Sequence, residues 1–92
     1  MNIDHEAISE LFRLHDIEGL ISSGAPDDEY DSEVERIVTA LEDLPCEQVS
    51  VTAVAEIFAT VWAQMFELSE EQIRRRRFDF DEIAEKVMGI FA

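Results

Sequence analysis

Basic residues are scarce in this chain of 92. Seven lysines and arginines stand against 22 aspartates and glutamates, a formal net charge of −15. Nucleic acid and anionic lipid carry like charge, so neither is an expected partner. A basic protein is, because the same field draws it in at long range. A single cysteine, Cys46, excludes an internal disulfide and suits a reducing compartment. Only two prolines and three glycines occur, so regular structure has few breakpoints. No apolar run is long enough to cross a membrane, and Met1-Asn2-Ile3-Asp4-His5-Glu6 has neither a basic nor an apolar stretch. Neither a membrane span nor a signal peptide is expected, and the expected location is the cytoplasm. Enzyme signatures are missing too: there is no His–Glu metal motif, glycine-rich phosphate loop or nucleophile elbow. A helical chain of this size leaves little room for a pocket of ~300 Å³. The sequence reads as non-enzymatic, with no cofactor and no metal.

What is present is helical periodicity. Hydrophobic residues make up 47% of the chain, enough for one folded domain over residues 1–92. The expected fold is all-α, a compact bundle of four to five helices around a central hydrophobic helix at about residues 51–67. Asp4 is placed to cap the first helix, in which Ala7, Ile8, Leu11, Phe12 and Leu14 form the apolar face opposite Ser9 and Arg13. That helix should end near His15. A second helix is expected from about residue 28 to 42, with Tyr30, Val34, Ile37, Val38 and Leu41 inward and Glu35, Arg36, Thr39 and Glu42 outward. Pro45 then excludes helix at Leu44. The third helix, capped by Ser50 or Thr52, carries apolar side chains over about half its circumference, including Phe58, Val61, Trp62 and Phe66. Ser69-Glu70-Glu71-Gln72 is a capping box with Leu68 and Ile73 as its staple. It predicts a fourth helix through Arg77. Asp79-Phe80-Asp81-Glu82 is of similar type and predicts a fifth, with Ile83, Ala84, Val87, Ile90 and Phe91 on its apolar face.

The densest negative charge follows Gly24-Ala25-Pro26, in Asp27-Asp28-Glu29-Tyr30-Asp31-Ser32-Glu33. Gly24 can take positive φ, and Pro26 forces Ala25 to be extended, so the chain turns here. Asp27 or Asp28 can accept a bond from the free N–H groups of the next helix, and the following carboxylates suit its N-terminal dipole. Capping is therefore one reading of these acids and partner binding the other. A calcium loop does not fit, since no glycine follows at the required place.

Asp16-Ile17-Glu18-Gly19-Leu20 followed by Gly24-Ala25-Pro26-Asp27-Asp28-Glu29-Tyr30-Asp31 resembles a signature of small bacterial proteins of the YugE-like kind. Those usually have proline after the first aspartate, where this chain has Ile17. Similar signatures occur in immunity proteins that accompany polymorphic toxins. The resemblance spans Asp16 to Glu33. It implies a small helical fold and supplies no catalytic residues.

Charge is unevenly spread, with 14 acids and 2 bases in residues 1–50 against 8 acids and 5 bases in residues 51–92. A partner-binding surface is therefore expected in the first half, at Asp27, Asp28, Glu35, Glu42 and Asp43. Glu35 and Glu42 lie a heptad apart on one polar face. The expected function is that of an immunity-type inhibitor which neutralises a basic toxin domain, a nuclease by preference. The alternative is a small self-associating or subunit protein. Arg74-Arg75-Arg76-Arg77 would point in four directions from a helix, so ion pairing with the protein's own acids is expected rather than a phosphate patch. His5 and His15 share no metal-ligand spacing and are read as structural or surface residues.

Overall fold

The computed structural model describes residues 3–19, 24 and 30–91. Among them the chain forms four α-helices and one short 3-10 turn, with no strand: α1 (His5–His15), α2 (Asp31–Asp43), the turn Cys46–Gln48, α3 (Val51–Phe66) and α4 (Glu70–Phe91). The expected all-α bundle is what forms. No helix among the described residues is long and apolar enough to cross a membrane.

Local chemistry explains the helix ends. The Asp4 side chain accepts from the N–H of Glu6, and that of Ser50 from the N–H of Ala53, so both starts are capped as expected. Ser69 and Gln72 form the reciprocal box: Ser69 N–H donates to Gln72 Oε1 at 2.8 Å and Gln72 N–H to Ser69 Oγ at 3.3 Å. Asp16 ends α1 in the left-handed region at φ 43°, and Glu67 ends α3 at φ 54°. Gly24 has φ 105°, the turn conformation its position required. Before Pro45 the backbone of Leu44 is extended, which closes α2. α2 begins at Asp31 rather than Asp28, with Tyr30 at the cap position and no side-chain capping bond. The caps expected from Asp27 and Asp28, and the turn at Pro26, lie outside the described residues.

The helices pack as a ring. α3 contacts α2 and α4, and α1 closes the ring between the same two neighbours. α3 contributes more to the core than any other helix, through Val54, Ala55, Phe58, Ala59, Val61 and Trp62. It is a wall of the ring all the same, because Thr52, Glu56, Thr60 and Gln64 remain exposed along one stripe. The centre is the Trp62 ring. Its centroid lies 5.2 Å from Phe12, 5.7 Å from Tyr30, 5.2 Å from Phe66 and 6.0 Å from Phe80.

One open question is settled, and Leu14, Ser9 and Ile90 need correction. The fourth and fifth helices are one, because Asp79-Phe80-Asp81-Glu82 contains no breaker and the inward positions run on without a change of phase. Ile73, Phe80 and Val87 follow at heptad spacing, with Ile83 and Ala84 between them. Leu14 is 72% exposed. It sits about 120° round the helix from Ile8, whereas Ile8, Leu11, Phe12 and His15 share the inward stripe. Ser9, expected outward, is buried instead, since α1 is covered on two flanks by α2 and α4. At the end of α4, Ile90 is 53% exposed rather than part of the core.

Candidate functional site

A polar cluster lies at the mouth of the core where the chain leaves α1. The Tyr30 hydroxyl donates to Asp16 Oδ1 at 2.6 Å and accepts from the backbone N–H of Glu18 at 3.3 Å. Trp62 Nε1–H donates to Glu18 Oε1 at 2.9 Å. Arg76 grips the same carboxylate with two donors, Nε to Oε1 and Nη2 to Oε2, the second at 2.9 Å. Its Nη1 also donates to the carbonyl of Gln72. Arg76 occupies an inward position of α4, between Ile73 and Phe80, where an apolar residue would otherwise sit. Its aliphatic stem covers the core while the guanidinium reaches the mouth. The hydrogen bond that Arg76 donates to Glu18, helped by the charges of Glu18 and Asp79, holds the Arg76 pKa above the ordinary arginine range despite partial burial. A raised pKa of this kind stabilises the fold at every pH below the arginine range and is lost only above it. The cluster thus ties the α1–α2 connection to α3 and α4. Its chemistry is that of a lock: every group in it faces another protein group.

The other arginines of the 74–77 run pair as the sequence suggested. Arg77 meets Glu56 at 2.7 Å, and Arg74 and Arg75 both reach Glu71. Not every acid is paired in this way. Glu35, Glu42 and Asp43 are exposed, and among the described residues none of them has an ion-pair partner. Glu35 and Glu42 lie on one outward stripe with Thr39, whose hydroxyl is turned back onto the Glu35 carbonyl at 3.0 Å. Asp43 and Glu35 rim an open groove of about 740 Å³ that has Met65 of α3 on its far side. Asp27 and Asp28 lie outside the described residues, so three of the five expected binding residues have a place in the structure. Glu33, on the same helix, is buried at 7% exposure.

Two further grooves run beside α3. One of about 340 Å³ is floored by Ala40, Ile57 and Val61; the other, about 500 Å³, lies between α3 and α4 around Ala59, Ala63 and Ile73. The bundle was expected to leave little room for a pocket of ~300 Å³; these three are larger, but all are open surface grooves.

Sequence spacing missed a third constellation. His15, at the end of α1, meets Asp79 and Glu82 of α4, and one ligand atom from each lies within 4.8 Å of the other two. All three are half-buried. Lys86 Nζ lies 3.0 Å from His15 Nε2. Asp79 and Glu82 are three apart on one helix and share a face, but His15 is over sixty residues away, and only the α1–α4 packing brings it in. Compared with known protein families, with curated proteins and with solved structures, the chain matches none.

Proposed function

We propose that this protein is an immunity-type inhibitor: a cytoplasmic, non-enzymatic bundle that binds a basic toxin domain, a nuclease by preference, and blocks its substrate cleft. The observation that carries this reading is the row of exposed, unpaired carboxylates on α2, Glu35, Glu42 and Asp43. Among the described residues, arginines engage the carboxylates of Glu10, Glu18, Glu56 and Glu71. On α2, Glu35, Glu42 and Asp43 are left to solvent. A cationic cleft that neutralises phosphates with Lys and Arg is complementary to such a row. Asp27 and Asp28, also expected to bind the partner, lie outside the described residues. The resemblance of Asp16 to Glu33 to the YugE-like signature supports the same reading.

The test is rescue in cells. The basic domain encoded by the neighbouring open reading frame is expressed alone and with this protein. Restored growth on co-expression supports inhibition; growth arrest that persists while both proteins are soluble refutes it. The second reading, self-association, is favoured by one observation, the exposure of Phe78 at 76% beside that of Leu14. It predicts a dimer in sedimentation without any partner.

A further inference from the structure

We propose that His15, Asp79 and Glu82 form a binding site for a divalent transition cation of the zinc class, bridging α1 and α4. The ligand atoms converge within 4.8 Å from two separate helices. Bonds of ~2.0–2.2 Å place neighbouring ligands ~3–4 Å apart around one ion, so a small rotamer adjustment closes the triad. One imidazole with two carboxylates suits zinc and its neighbours better than calcium or magnesium, which take oxygen alone, or copper(I), which prefers sulfur. Three protein ligands would leave at least one position for water.

A second observation is independent of the carboxylates. An ammonium group has donors and no acceptor, so the 3.0 Å contact makes Lys86 Nζ the donor and His15 Nε2 the acceptor. The Nε2 atom of His15 is thus already seated against a cation, the place a ligated metal ion would take. Lys86 is exposed and its stem is flexible, so the ammonium can be displaced. The C-terminal carbonyls of α1 favour positive charge at this place as well. The other nearby cation, Arg76, acts on Asp79, but its guanidinium is held by Glu18. This site does not depend on the inhibitor reading.

The test is a Zn²⁺ titration of the full chain carrying Cys46→Ser, which removes the exposed thiol as a competing ligand. Binding is read by calorimetry, and the imidazole proton resonances of both histidines are followed by NMR. One ion per chain is expected, with the His15 resonances shifted. His15→Ala should weaken binding by about 10-fold or more. Lys86→Gln should tighten it by about 3-fold or more, since a like charge is removed from the ion's side. His5→Ala and Glu67→Gln should leave it unchanged. If His15→Ala does not fold by circular dichroism, His15→Gln replaces it. Unsaturable binding, or binding insensitive to both His15 and Lys86, overturns the site and leaves an ion-pair cluster between two helices.

Discussion

Trp62→Ala is expected to destabilise the protein by ~3–5 kcal/mol, the range for deleting a large aromatic from a packed core. Domains have about 5–15 kcal/mol in all, so this one substitution brings the chain close to unfolding. The reason is position as well as size. Trp62 is fully buried, and its ring meets Phe12 of α1, Tyr30 ahead of α2, Phe66 of its own helix and Phe80 of α4. No smaller side chain at that point can keep all four neighbours in contact, and the cavity would border on every helix of the ring. Urea unfolding followed by far-ultraviolet circular dichroism checks the value. Trp62→Phe should cost less, about 1–3 kcal/mol, because it keeps an aromatic ring but removes the N–H that Glu18 accepts. A loss below about 1 kcal/mol for Trp62→Ala would mean that the core is not organised around this ring.

The second large effect is expected at Glu18 and Arg76. Their side chains are 14% and 22% exposed, so the pair is shielded without being sealed. Removing one charge leaves the other poorly solvated, and Arg76→Met is expected to destabilise by about 2–3 kcal/mol, somewhat under the range for a fully buried pair. Glu18→Gln retains an acceptor for Trp62 Nε1–H and loses only the charge, so it should cost less than Glu18→Ala. In the Arg76→Met background Glu18→Gln should be close to neutral. A double-mutant cycle by chemical denaturation is the measurement, with a coupling of at least about 1 kcal/mol expected. Additive losses would show that the two groups stabilise the fold separately.

The helices, their caps and the pairing of the arginine run were legible because they depend on neighbours in sequence. Ser69 and Gln72 are three apart, and Tyr30 lies on the stripe of Val34, so period and capping rules suffice. Whether the fourth and fifth helices join could not be read from the sequence, for a physical reason. Arg76 occupies a core-facing position, which interrupts the apolar stripe of α4 on paper, while Asp79 mimics a cap. Only the guanidinium's partner, Glu18, explains why an arginine is tolerated there, and that partner is 58 residues away. The same long separation hid the meeting of His15 with Asp79 and Glu82. Leu14 was misplaced because apolar character was weighted above helical angle. In the expected binding surface, the outward direction of Glu35 and Glu42 followed from the inward stripe of Val34, Ile37 and Leu41. Their lack of ion-pair partners did not, since it depends on where α4 places its arginines.

The central claim, that the unpaired acids of α2 steer a basic partner, is tested most directly by association kinetics at two ionic strengths. The purified toxin domain is mixed with wild-type protein and with the double charge reversal Glu35→Lys, Glu42→Lys, and a melting curve confirms that folding is intact. Exposed charges act mainly on the rate of encounter. At low salt the reversal should slow association by about 10-fold or more. At high salt, with the Debye length reduced to ~3 Å at 1 M, the two rates should converge. Equal rates at low salt would contradict the account and remove α2 from the interface.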